Sequence, residues 1–397
     1  MSASHLNSHW RSVATALCVF GMVLVATTLS QAATVTLGGF AYSGDSKSIA
    51  SRFPYTKRIE LAQAAAGNPL NKQIAQILAQ NKPANFELKQ NALAELKGQD
   101  QAIVVALVIT GETVSVENFG SIAKLLTQVR AQAMFFDFKT MAVVRAYPFS
   151  FSHLDVIDHV PTQAEMNARF QVVYYGEQGK QGILARFADA VNKATIPTDV
   201  PRFVQVNQVE IGDEARSVLP NDLKSGPNVA ETWAADVFAE SLSNKTGISM
   251  VPFSKGYAIG NVMSMRIADG DVYMLKLPEP DYTISLSIPR FKRIKSGESA
   301  AGASYIYGAY SKVTIQEPAS GRKYLDADFK NGEVKLVPAS QSSIDDFPAY
   351  YDAIKGLFVK LSGNLAGSKT DWINSATSAP NISQQISSTQ ELLKSCK

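Results

Sequence analysis

The sequence predicts an α+β fold of two tandem units, each an antiparallel or mixed sheet with helices packed on one side. Three observations predict it. First, an order of strand, helix, short strand, long strand, hairpin and helix runs through the chain twice. Second, residues 282–288 alternate cleanly: Tyr282, Ile284, Leu286 and Ile288 fall on one side and Thr283, Ser285 and Ser287 on the other, the pattern of a half-buried antiparallel strand. Third, 397 residues with a 46% hydrophobic share supply material for two cores, at roughly 100 to 200 residues per domain.

The first 32 residues stand apart. Arg11, an apolar run over 13–29 and the ending Ser30-Gln31-Ala32 have the layout of a secretory signal peptide. Cleavage after Ala32 would leave 365 residues. No comparable apolar run follows, so the expected product is periplasmic or secreted, and soluble or peripheral. The 38 basic and 35 acidic residues nearly balance; removing Arg11 leaves a net charge of +2, which argues against a nucleic-acid protein. Cys18 lies in the leader, without the small preceding residue of a lipoprotein cleavage site. After processing only Cys396 remains, so no intramolecular disulfide is expected, and its polar tail suits no nucleophile.

The first unit is read as 33–197 and the second as 201–361, with a polar C-terminal tail at 362–397. Each unit opens with a strand ending in Gly-Asp, at 35–45 and 203–213. A helix follows a Gly/Asn/Pro start signal in each, carrying Ile74, Ile77 and Leu78 in the first and Trp233, Val237 and Leu242 in the second. These helices stop at Asn81-Lys82 and Asn244-Lys245. Short strand-like pieces come next, at 85–88 and 248–253, then long strands at 102–110 and 282–288. The first hairpin is 131–138 and 142–149 about Lys139-Thr140. The second is 304–316 and 323–329 about residues 318–321, with Asn331-Gly332 as a further turn signal before 334–337. An amphipathic helix closes each unit, with Ile183, Leu184, Phe187 and Val191 in one and Tyr350, Ile354, Leu357, Phe358 and Leu361 in the other. The outer elements repeat at offsets of 168, 163 and 167 and the middle ones at 180 and 179, so a duplication needs an insertion in the second unit, placed at 256–270. The Met-rich stretch Met250, Met263, Met265 and Met274 reads as core filler.

This order resembles the small α/β module of the amino-terminal domain of TolB, of CsgG and of the middle region of FlgT. The residues that carry the likeness are the helix ending at Asn81-Lys82, the strand at 85–88 and the hairpin at 131–149. The resemblance is one of pattern over most of 34–362. It implies envelope-associated assembly or interaction roles, and it brings no catalytic residues.

Two clusters carry chemistry. His153, Asp155 and His159, with Asp158 between, hold the only histidines outside the leader and offer ligands for zinc or manganese. A helix would separate His153 from Asp155 and His159, and a strand would set Ile157 among them, so a loop leading to a helix at Pro161-Thr162 competes with a metal site. No Gly-x-Ser-x-Gly, His-Glu-x-x-His or Walker motif is present. Asp345-Asp346 read as the acidic start of a helix. The second cluster is Arg290, Lys292, Arg293 and Lys295, placed in the connection after the strand at 282–288, with Tyr305, Tyr307 and Tyr310 beyond. Such a basic hairpin suits an anionic lipid, a glycan or a protein, while the plainer reading packs the tyrosines on the sheet.

The expectation is therefore an exported, non-catalytic interaction or assembly protein of the bacterial cell envelope. No cofactor is expected. Its expected partners are envelope proteins or assemblies, peripheral outer-membrane contact and its own copies. The alternatives are a metal-assisted periplasmic hydrolase built on His153, Asp155 and His159, and an outer-membrane pore component.

Overall fold

A computed structural model of the chain describes residues 33–44, 49–90, 93–96, 102–119, 122–196, 201–224, 226–267, 270–339 and 346–397. The expected signal peptide lies outside the described residues. Among these residues, no helix is long and apolar enough to cross a membrane.

The main elements of the first half are β1 (Thr34–Ser43), α1 (Pro54–Ala65), α2 (Leu70–Gln80), β2 (Glu87–Lys89), β3 (Ile103–Phe119), β4 (Ile122–Asp137), β5 (Ala142–Ile157), α3 (Gln163–Tyr175) and α4 (Ile183–Lys193). The second half contains β6 (Val204–Ile211), α5 (Val229–Thr246), β7 (Val262–Ile267), β8 (Val272–Lys276), β9 (Tyr282–Ile288), β10 (Phe291–Ser299), β11 (Gly302–Gln316), β12 (Lys323–Pro338), α6 (Phe347–Leu365), α7 (Trp372–Ala376) and α8 (Ile382–Lys394). The fold is α+β, with two sheet-based units.

The long strands of the two halves repeat one another, while β2 is matched in the second half by an isolated bridge between Gln205 and Val251. β1 runs parallel to β3, and β6 parallel to β9; both pairs carry a bulge, at Gly38 in β1 and at Asn207 in β6. β3, β4 and β5 form an antiparallel run, as do β9–β10, β11 and β12. β3 is one strand with an irregularity at Thr110, whereas the second half breaks at Pro289-Arg290 into β9 and β10. Proline cannot donate to the ladder, so the break falls there.

The inserted segment does more than lengthen the second half. β7 and β8 form a hairpin that pairs β7 with β1 and β8 with β5, joining the sheet of the first half. β1, β3, β4, β5, β8 and β7 thereby close a ring of six strands. Ala41, Val104, Ala106, Val108, Met134, Phe136, Met263 and Met265 fill it. The opposite face of β1, β3, β4 and β5 packs under α1 to α4 through Phe40, Leu107, Phe135, Phe170 and Phe187. This explains why Val104–Ile109 is buried without alternation. Met274, unlike the other methionines of its stretch, is exposed.

α5 is buried nearly all round because it packs against β5 on one side and β6 on the other. Its C-terminus is closed by Gly247 at φ 78°, whose N–H donates to the Ser243 carbonyl at 2.7 Å. α5 and α6 lie between the sheets, covering the second through Phe238, Phe358, Ile354 and Leu361. The layers run helix, sheet, helix, sheet.

Several expectations need correction. The strands of the first hairpin extend to Ile122 and Ile157, well past the expected limits, and one side of the extension is still buried through Ala123, Leu125, Val129 and Phe151. Arg290, Lys292, Arg293 and Lys295 are not in a loose connection: Lys292, Arg293 and Lys295 lie on β10, opposite Gly308, Tyr307 and Tyr305. Asn331-Gly332 makes no turn, since β12 runs through it; the Asn331 amide donates to the Ala353 carbonyl of α6 at 3.0 Å. Residues 362–397 are no loose tail. α6 continues to Leu365, and Leu365, Ala376, Ile386, Leu392, Leu393 and Cys396 join the second core. Burial pushes the Cys396 thiol up to about 11.

Candidate docking surface

The long strands run on as two three-stranded arms, the first under α3 and the second against α6. In the first arm His153 and Asp155 lie on β5, on the face toward α3, and not on a loop. The Asp155 carboxylate takes Arg169 of α3 at 2.7 Å. His153 Nδ1 pairs with Glu177 at 2.9 Å. His159 sits in the turn before α3, between Asp158 at 2.7 Å and Glu165 at 2.8 Å, and both carboxylates raise its pKa. Thr162 and Glu165 form a capping box on α3, and the backbone N–H and hydroxyl of Thr162 hold the Glu165 carboxyl down to about 2. The three suggested ligands therefore point to three different partners. Among the described residues, no group of three or more His, Cys, Asp or Glu is placed to hold a metal.

In the second arm, strand alternation divides the suggested binding residues between two faces. Arg293, Lys295, Tyr305 and Tyr307 share the face toward α6. Asp346, at the start of that helix, accepts from Arg293 at 2.8 and 3.0 Å and from the Tyr307 hydroxyl at 2.7 Å. Burial, and then the bond to Asp346, raise the Tyr307 pKa. Arg293 also lies over the Tyr305 ring, and Lys295 pairs with Glu298 at 2.6 Å. Much of this group is thus spent within the protein.

The other face is the back of the second sheet. Lys292 points there, paired with Glu214 at 2.6 Å, and Arg290 lies over Tyr310. Between these basic groups runs an aliphatic row: Ile294, Ile306 and Val334 are in register across the three strands, with Leu336 beside them. Val334 is 68% and Leu336 61% exposed. Gly308 and Gly332 stand opposite one another and lower the floor beside this row. The resulting dent, of about 370 Å³, is bordered by Ile306, Tyr310, Lys330, Lys360 and Trp372. Sequence reading overlooked this row because its members are scattered over three strands. The available signal was the alternation of 333–336, which puts Val334 and Leu336 two positions apart between Glu333 and Lys335.

A larger cleft, of about 1,110 Å³, lies where the halves meet, lined by Phe53, Tyr55, Glu112, Arg130, Asn228 and Thr232 among others. Glu112 accepts the backbone N–H groups of Tyr55 and Thr56 at 3.1 and 2.7 Å, which caps the first turn of α1. Burial nevertheless pushes its pKa up to about 7. A carboxyl whose folded pKa is raised binds more protons folded than unfolded between about 4.5 and 7, so stability falls as pH rises through that window. Thermal unfolding from pH 5 to 8 should show this decline, and Glu112→Gln should flatten it; an unchanged slope in the variant would assign the decline to other groups.

No family model and no curated protein matches the chain. Among solved structures, a DUF330-family protein from Xanthomonas campestris is 13% identical over 43% of this chain and 87% of its own, with a TM-score of 0.22. A hypothetical protein from Chlamydia trachomatis is 10% identical over 42% of this chain and 97% of its own, with a TM-score of 0.24. A minor lipoprotein from Acinetobacter baumannii is 8% identical over 46% of this chain and 98% of its own, with a TM-score of 0.21. Similarity at this level assigns no activity and no partner.

Proposed function

We propose that the protein is an exported, non-catalytic interaction protein of the bacterial cell envelope, and that it docks through the back of its second sheet. The observation that carries this reading is the exposed row Ile294, Ile306, Val334 and Leu336. Strand faces left to water normally take polar residues, and open edges are blunted by charge or proline, so an aliphatic row on an arm with open edges favours a surface that is covered in use. The signal-peptide layout of the sequence at 1–32 supports the envelope location. The repeated half supports kinship with TolB-, CsgG- and FlgT-like modules, whose implied roles are assembly and interaction.

Fractionation combined with mass analysis tests the location. The expected finding is a chain beginning at Ala33 in the envelope or periplasmic fraction; a cytosolic chain with the leader intact would overturn it. Ile306→Asp with Val334→Asp should leave the melting temperature near that of wild type but remove the protein from its native complexes.

A further inference from the structure

The face proposed for docking has a counterpart inside the molecule, and the inner part of that counterpart is occupied. Along β4 and β5 the back of the first sheet presents Gln132 and Pro148, then Arg130 and Ser150, Gln128 and Ser152, and Leu126 and Leu154 as cross-strand pairs. Adding 180 to every number gives the pairs Lys312–Asp328, Tyr310–Lys330, Gly308–Gly332 and Ile306–Val334 on the back of the second sheet. On the first sheet the inner pairs, from Gln132–Pro148 to Gln128–Ser152, are covered by the helix layer of the second half, while Leu154 at the outer end stays 55% exposed. Asp236 of α5 faces Arg130 at 3.5 Å, Glu240 of α5 accepts from Ser150 at 2.8 Å, and the Gln128 amide donates to the Tyr351 hydroxyl of α6 at 2.8 Å. Among the described residues, no such layer covers the matching pairs on the second sheet.

Resting on the docking reading, we infer that this face takes the helix layer of a second copy of the chain, so that copies stack head to tail. Modules that stack end in polar capping faces; the terminal sheet here ends in an aliphatic row instead. The row alone is smaller than the roughly 800 Å² per partner of a stable interface, so the occupant has to span the sheet, as α5 and α6 span the first one. The equivalent layer of another copy is its α1 to α4, which exposes Leu61 on α1 and Tyr175 at the end of α3. The dent over Gly308 and Gly332 has room for a side chain of that size. Lys330 and Lys360 at its rim suit the negative, C-terminal end of a helix, and Tyr175 is the last residue of α3. Different surfaces meet in such a contact, so it propagates into a ring or an open chain.

Sedimentation velocity on purified protein tests the inference with two variants: Val334→Asp, which spoils the accepting sheet, and Leu61→Asp/Tyr175→Asp, which spoils the donating helices. Wild type should grow in mass to dimer and beyond between on the order of 1 and 100 µM, the range of a micromolar contact. Each variant alone should stay monomeric with a melting temperature near that of wild type. An equal mixture of the two should form a dimer and nothing larger, because it contains one intact acceptor and one intact donor. Wild type that stays monomeric throughout overturns the inference. So does association abolished by Val334→Asp but untouched by the helix variant, which would mean sheets packing back to back. A monomer that still binds another envelope protein through Val334 overturns self-stacking and leaves the docking reading standing.

Discussion

A chain ended after Leu361 is expected to lose its second half. Residues 362–397 are polar in composition, yet Leu365, Ile386, Leu392, Leu393 and Cys396 are each less than one-tenth exposed and belong to the core beneath the second sheet. α8 packs against β12; the Asp326 backbone N–H donates to the Gln385 side chain at 2.9 Å, and the Gln390 amide donates to the Asn364 carbonyl at 2.7 Å. Removing a buried Leu or Ile side chain costs about 2 to 5 kcal/mol, and a whole domain is stable by only about 5 to 15 kcal/mol. Four aliphatic side chains lost together exhaust that margin. Denaturation of the truncated chain should show no cooperative transition for the second half, and expression should shift to the insoluble fraction. A truncated chain that melts like the full one would mean that α8 is merely laid on the surface.

The second large effect is expected at the joint between the halves. Arg130 of β4 and Asp236 of α5 face each other with side chains 11% and 9% exposed. Asp236→Ala leaves the guanidinium buried without its carboxylate, which costs about 3 to 5 kcal/mol. Replacing both, as Arg130→Met with Asp236→Leu, removes the stranded charge along with the pair and should recover most of the loss. Chemical denaturation of the wild type, the two single variants and the double variant measures the coupling. If the double variant is as weak as the sum of the singles, the two side chains do not act as a pair.

Much of the architecture was legible because local pattern and tertiary demand agree. The alternation at Tyr282–Ile288 survives as β9 with its apolar side in the core. The helix ending near Asn81 was legible because its apolar spacing faces a sheet, and the one ending near Asn244 because apolar residues fill both of its packed sides. The lengths of the arms were not legible, since they are set by cross-strand pairing between separated residues such as Ala123 and Ile157, or Gly302 and Pro338. Asn331-Gly332 misled for the same reason: its turn propensity yields to the ladder with Ala309 and Gly308. The crossing of β7 and β8 to the first sheet depends on partners far away in sequence, Ala41 for Ile267 and Ala142 for Lys276, and no local signal encodes that. At the candidate surface, charge drew the sequence reading to Arg293 and Tyr307, which Asp346 occupies. The uncharged row behind them became visible only when three strands were set in register.

The most direct test of that surface is photo-crosslinking in living cells from position 334, with position 160 as a control. Val160 is 77% exposed, just beyond the end of β5 and away from the row. The expected result is a discrete adduct from 334 that is absent from 160. No adduct from 334, or the same products from both positions, would contradict a docking role for the back of the second sheet.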